Sequence, residues 1–333
     1  MCPRIKLTDT EKKFLFLENS YMSFYTLKDI ENLDNVRIVH WKRATKYGFI
    51  NLLFNLHHSG KISKYIKLPF KNIWNSCIFG RIIREFSPDY IIFTPSWYSD
   101  GLVNYFRSHL KHCRIILRFS DKVSNSYGKN SLSKIQMAKL IFDGVIVYNH
   151  EDANTYNCIY HSVGYSKINI DQLKPCRQYD VVFIGAAKGR MAKIREAYML
   201  FNKAGLSCFF YVILAPKHEI RDDGIIYSDK TMPFLDYLSY EANAKCLFEL
   251  VQEGSSGRTY RLMESIIYNK LLITNCTEIQ ETPYFNQEYV QLFDNVASID
   301  PAFVYKQRDI VDYQYEGDFS PKCFMAFVED TWQ

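Results

Sequence analysis

Short runs of β-branched, leucine and aromatic residues recur along this chain, separated by segments of helical length, and they fall into two series. The first holds KFLFLE, VRIVHW, YIIFTP, RIILRFS and GVIVYN; the second holds YDVVFIG, CFFYVIL, GIIYS, CLFELV, KLLIT and YVQLF. Runs this uniformly apolar suit strands buried on both faces, and the spacers are long enough to return the chain for a parallel neighbour. Residues 72–86 illustrate a spacer: Ile73, Cys77, Phe79, Ile82, Ile83 and Phe86 fall on one helical stripe. Between the series, SVGYSKINIDQLKPCRQ has Gly, Pro and polar residues without a period and reads as a connection. The expectation is an α/β chain of two domains, 1–165 and 166–333, whose last helix can cross back to the first domain. At 333 residues each half is large enough to close its own core.

With 47% hydrophobic and 23% charged residues the chain is far from the disordered regime. Its net charge of +5 hides an asymmetry: residues 1–170 hold 24 Lys/Arg against 13 Asp/Glu, or +11, which leaves −6 for residues 171–333. From Arg37 to Arg84 there are ten cations and no acid. Such a stretch expects an anionic partner or forms a solvated basic face. The nine cysteines are odd in number and never spaced C-x-x-C, which argues against a disulfide framework and a structural zinc site. No apolar segment reaches the length of a signal-peptide core or a membrane span. A cytoplasmic protein is expected.

An α/β domain binds ligands at the carboxyl ends of its strands, so chemistry is sought there. In QEGSSGRTYRLMESIIYNKLLITN, a strand leads through a GSSG turn into a helix near Arg258. Amides of Ser255, Ser256 and Gly257 at a helix N-terminus, with Arg258 and Arg261, suit a diphosphate. Glu264, one and a half turns on, suits a ribose or sugar diol. The plain alternative is a strand–turn–helix with a solvated arginine pair.

This segment resembles the donor-binding region of GT-B glycosyltransferases, especially the large retaining group whose helix carries a Glu followed by a small or apolar run and a returning strand, here ESIIYNKLLIT. In that group a second glutamate stands eight residues earlier, where this chain has Ser256. The glycine-serine turn with arginine looks like the spore-protein-like and surface-polysaccharide branches. The resemblance implies two Rossmann-like domains facing across a cleft, a nucleotide-diphosphate sugar as co-substrate, and no further cofactor. It also implies basic residues after the first strand of the second domain, where this chain has Lys188 and Arg190. The same turn lacks the G-x-G-x-x-G of dinucleotide folds.

On the acceptor side, Asp121 ends RIILRFS where the resembling enzymes often place a His–Asp pair; Ser120 holds the His position. Asp121 can act as a general base on an acceptor hydroxyl or cap the following turn. Glu18, at the end of FLFLE, is the second candidate. No D-x-D follows a strand, so no metal site is expected, and Walker A, H-E-x-x-H and nucleic-acid signatures are absent. The expected function is transfer of a sugar from a nucleotide sugar to a polysaccharide or lipid-linked saccharide in cell-surface glycan synthesis. Residues 37–84 would meet an anionic membrane surface at its inner face. A sugar-nucleotide epimerase and an inactive scaffold are the alternatives.

Overall fold

The computed structural model describes residues 11–41, 48–57, 73–252, 257–306 and 310–333. These form two compact units, residues 167–318 and residues 11–166 rejoined by 319–333.

In the unit that begins the chain, strands β1 (Phe14–Glu18), β2 (Val36–His40), β3 (Tyr90–Phe93), β4 (Arg114–Arg118), β5 (Gly144–Val147) and β6 (Ile159–Tyr160) form a parallel sheet in the order β2-β1-β3-β4-β5-β6. β6, only two residues long, had no apolar run to announce it. Alternate side chains serve opposite faces. Leu15, Leu17, Ile91, Phe93, Ile115 and Leu117 pack with Phe79, Phe106 and Ile135 from three helices. Phe14, Phe16, Tyr90, Ile92, Ile116 and Ile146 meet Leu27, Ile30 and the final helix, Pro321–Thr331, through Phe324, Met325 and Val328. Burying each of those last three side chains contributes about 1.5–3 kcal/mol.

That final segment is fastened by hydrogen bonds. The Tyr90 hydroxyl donates to the Trp332 carbonyl at 3.0 Å, and the Trp332 indole donates to the Asp143 carbonyl at 3.0 Å. The indole lies over Gly144 so closely that a Cβ there would sit 2.0 Å from it. The expected stripe on residues 72–86 is only partly used. The helix is Ile73–Glu85, and it buries Phe79 while Ile73 and Cys77 are exposed.

In the other unit, β7 (Val181–Ala186), β8 (Cys208–Ile213), β9 (Ile226–Ser228), β10 (Cys246–Glu249), β11 (Leu271–Thr274) and β12 (Val290–Leu292) form a second parallel sheet, ordered β12-β11-β10-β7-β8-β9. Val181, Phe183, Phe210, Cys246 and Phe248 pack against Ile194, Ala197 and Phe201 of the helix Met191–Lys203. In each sheet the winding direction reverses beside its first strand, between β1 and β3 and between β7 and β10. Ligand crevices of open α/β sheets lie at such reversals, outside the carboxyl ends of the strands. Among the described residues no cysteine forms a disulfide, and no helix is long and apolar enough to cross a membrane.

Candidate functional site

β7 runs into the turn Ala187–Arg190, where Lys188 (φ 41°) and Gly189 (φ 74°) both take the left-handed region. Glycine enters that region freely; lysine there stores backbone strain, a feature concentrated at functional loops. Lys188 is exposed. Arg190 turns inward instead. Its Nη2 donates to the Ala186 carbonyl at 2.7 Å, its Nε to the Ala187 carbonyl at 3.4 Å, and its Nη1 to the Leu250 carbonyl beyond β10. Burial, then the neighbouring Arg261 charge, lowers its pKa.

β10 ends on the buried carboxylate of Glu249. It accepts the Thr274 hydroxyl of β11 at 2.5 Å and the hydroxyl of Thr259. Burial pushes the Glu249 carboxyl up, while the two hydroxyls and Arg261 oppose the rise. Thr259 is also the N-cap of the helix Tyr260–Ile267, its oxygen accepting the Leu262 amide at 3.2 Å. One residue therefore links the helix start to the strand end.

Arg261 and Glu264 take positions other than those expected of them. Arg261 donates through Nε to Glu241 at 3.0 Å and through Nη2 to the Ile184 carbonyl, with its guanidinium 5.1 Å from the centre of the Phe183 ring. Burial works against its charge, but Glu241, Tyr237 and Glu249 outweigh it and raise its pKa. Glu264 is fully buried and accepts the Tyr237 hydroxyl, whose pKa burial and the Glu241 and Glu264 charges push well up. Both residues lie within the helix Tyr260–Ile267, where Leu262–Ile267 is buried throughout, so position on the helix did not imply access.

Gly257 (φ 125°) and Arg258 lead into that helix. Arg258 is half-buried, and its Nε is shielded from solvent without an acceptor among the described residues. Ser255 and Ser256 lie outside the described residues. The loops leaving β7 and β10, which flank the reversal, thus carry Lys188, Arg190, Gly257 and Arg258, with Arg261 and Glu264 in the layer beneath.

In the other unit, Glu18 closes β1 and Arg118 closes β4, and their side chains meet across β3 at 2.7 Å, both buried. The Arg118 guanidinium lies 5.0 Å from the Phe324 ring centre, and Trp97 donates its indole to the Glu18 carbonyl at 3.0 Å. Burial raises the Glu18 carboxyl, with Arg118 pulling it back. Asp121 is exposed, and its Oδ1 accepts the Lys122 backbone amide at 2.8 Å and the Asn125 side-chain Nδ2 at 2.9 Å. That oxygen is engaged within its own turn.

Sequence reasoning missed Glu249, Glu241, Tyr237 and Arg118. Two of these had a signal, since an acid within CLFELV and a cation within RIILRF are charges in strands otherwise fit for full burial.

Of the cationic stretch from Arg37 to Arg84, Lys42, Arg43, Lys46, Lys61, Lys64, Lys67 and Lys71 lie outside the described residues. Within it, the helix Gly48–His57 buries Phe54 against Trp41, Trp74 and Trp97. Phe49, Leu52, Leu53 and Leu56, at spacings of three and four, are exposed, Phe49 by 70%. Arg37 donates to the Asp34 and Val36 carbonyls, and Arg81 pairs with Glu85 at 2.7 Å.

No family model and no curated protein matches this sequence. Solved structures match over nearly the whole chain. The UDP-forming α,α-trehalose-phosphate synthase of Burkholderia xenovorans, solved with glucose-6-phosphate, is similar with a TM-score of 0.54 at 11% identity, over 96% of this chain and 100% of that one. HepE of Anabaena, solved with UDP and glucose, gives a TM-score of 0.55 at 10% identity, over 96% and 99%. Likeness at such identities speaks for fold alone. The chain has the GT-B fold of glycosyltransferases, built from two Rossmann-like α/β units, which is the fold class expected from its sequence.

Proposed function

We propose that this chain transfers a sugar from a nucleoside-diphosphate donor to a saccharide acceptor, a polysaccharide or lipid-linked glycan of the cell surface. The observation that carries the reading is the grouping of cationic side chains at the reversal of the second sheet. Lys188 and Arg258 stand on its two loops without an acidic partner among the described residues, beside the half-buried guanidinium groups of Arg190 and Arg261. Breaking the glycosidic bond leaves charge on the departing diphosphate, and positioned cations and amides stabilise that charge without reorganising. Lys188, Arg258 and the Ser255–Gly257 amides meet the diphosphate in this reading, while Arg190 and Arg261 supply field and rigidity. Glu264 serves the ribose only by exchanging the Tyr237 hydroxyl for one of the sugar's. The ligands with which the two neighbours were solved, UDP and glucose in one and glucose-6-phosphate in the other, fit such a donor and a sugar acceptor.

On the acceptor side, Asp121 is the candidate base through Oδ2, and Glu18 belongs to the framework, because its charge is spent on Arg118. The exposed stripe Phe49, Leu52, Leu53 and Leu56, in a stretch of sequence without acids, supports docking on an anionic bilayer, where each Lys/Arg near the lipid contributes about 1 kcal/mol. Thermal denaturation with a panel of nucleoside diphosphates, with and without EDTA, tests the donor assignment; absence of stabilisation by every one of them sinks it. Product analysis with a stabilising donor then separates transfer, which needs an acceptor, from epimerisation, which does not.

A further inference from the structure

The second sheet has another polar concavity, at its opposite end. A cavity of about 490 Å³ opens beside the residues that precede β10 and β11, lined among others by Gln178, Lys245, Tyr268, Lys270, Val304 and Lys306. Lys245 and Lys270 are the residues immediately before those two neighbouring strands, and the Leu271 amide donates to the Lys245 carbonyl at 3.1 Å. Four-residue strands at about 3.3 Å per residue separate this cavity from Glu249 and Thr274 by roughly 13 Å. It is therefore not part of the donor crevice.

Among the described residues the lining has three ammonium groups and no carboxylate. Lys245 and Lys306 are balanced from outside it, by Asp180 at 2.7 Å and Glu288 at 3.3 Å. Lys270 is different. It is half-buried, and its ammonium has no acidic partner among the described residues. Burial alone lowers its pKa, so the protein does not compensate that charge.

The backbone that presents Lys270 is held firmly. The Tyr313 hydroxyl donates to the Lys270 carbonyl at 3.1 Å, Asn269 (φ 53°) accepts the Tyr313 amide at 3.1 Å, and the Tyr268 hydroxyl accepts the Ile168 amide at 3.0 Å. A half-buried cation on a fixed turn, with two more ammonium groups and the accessible apolar Ile310 and Val311 around it, matches a ligand that joins an anionic group to a less polar body. The volume lies in the range of small-molecule sites and exceeds what an inorganic ion fills.

We propose that this cavity binds a small phosphorylated metabolite, its phosphate on Lys270 and its body along Ile310 and Val311. The site lies apart from the proposed donor crevice, so the two assignments stand or fall separately.

The test uses the full chain, with ribose 5-phosphate and inorganic phosphate as probes. After ¹³C-dimethylation of the lysines, the Lys270 methyl resonance, assigned by its loss in K270R, is followed during titration. Calorimetry then compares the unsubstituted chain with K270M and K270R. The expected result is a saturable shift of the Lys270 signal with ribose 5-phosphate, stronger than with phosphate. Affinity should fall roughly ten- to hundredfold in K270M, the loss of one charge-assisted contact, and recover in K270R. Nucleoside-diphosphate binding should be unchanged in K270M, and K188M should leave the ribose 5-phosphate response intact. A Lys270 signal indifferent to both probes overturns the proposal. So does an affinity in K270M within about twofold of the original, which would leave Lys270 merely balancing the carbonyls at the end of the helix Tyr260–Ile267. If K270M does not fold, the resonance in the unsubstituted chain still decides.

Discussion

The Arg190 guanidinium donates to the Leu250 carbonyl, tying the loop after β7 to the loop after β10 across the reversal of the second sheet. With the Ala186 and Ala187 carbonyls also on that side chain, Arg190 is a strut rather than a free phosphate donor. Replacing it with Met strands those carbonyls and costs about 1–3 kcal/mol. Arg190→Met is expected to lose both stability and nucleotide affinity, whereas Lys188→Met, at an exposed position, loses affinity alone. Urea denaturation and nucleotide titration on the same two preparations separate the roles.

Glu18 and Arg118 make a different prediction, one with a pH signature. Burial holds the folded Glu18 carboxyl above its ordinary value despite Arg118. The stability due to that tighter proton is complete below the unfolded pKa and is lost as pH rises through the folded one. Arg118→Met removes the opposing charge and raises the folded pKa further. Its deficit against the original chain should therefore widen from acid to neutral pH, reaching about 3–5 kcal/mol, the cost of a buried carboxylate left alone. A deficit independent of pH in urea titrations would refute this.

Asp223 has the opposite sign. Burial disfavours its charge, but Arg195 at 2.8 Å, with Tyr227 and the Ile225 amide, outweighs burial and holds the carboxyl below its usual range. Its contribution is present above the unfolded pKa and lost as pH falls through the folded one. Asp223→Asn should cost about 1–3 kcal/mol at neutral pH, with the gap closing on acidification below the ordinary aspartate pKa.

Gly144→Ala tests the seating of the final helix. A methyl group 2.0 Å from the Trp332 ring must displace it, and with it the hydrogen bond to the Asp143 carbonyl. A loss of about 1–3 kcal/mol is expected, with a red shift of Trp332 emission. Unchanged emission would mean that the indole does not lie there in solution.

These residues also mark what was legible in the sequence. Strands announced themselves wherever an apolar run was long enough, and β6, with two residues, was not. The reversal loops could be found because the Lys188–Gly189 turn follows β7 within two residues and the GSSG sequence ending at Gly257 falls between β10 and the helix Tyr260–Ile267. Orientation could not be found. Arg261 and Glu264 sit in a helix buried for most of its length, and only the partners Glu241 and Tyr237, twenty or more residues away, decide that both side chains turn inward. Likewise Asp121, three residues past β4, is exposed, whereas Glu18, the last residue of β1, is consumed by an arginine two strands away. Pairings of that kind depend on strand order, which a single sequence states only through its fold.

Calorimetric titration of nucleoside diphosphates into the unsubstituted chain, K188M and R258M tests the donor crevice most directly. One nucleotide should bind at a single site in the unsubstituted chain, with affinity lower by roughly ten- to hundredfold in each variant and folding stability unchanged in K188M. No binding of any nucleoside diphosphate, or binding indifferent to both substitutions, would contradict it.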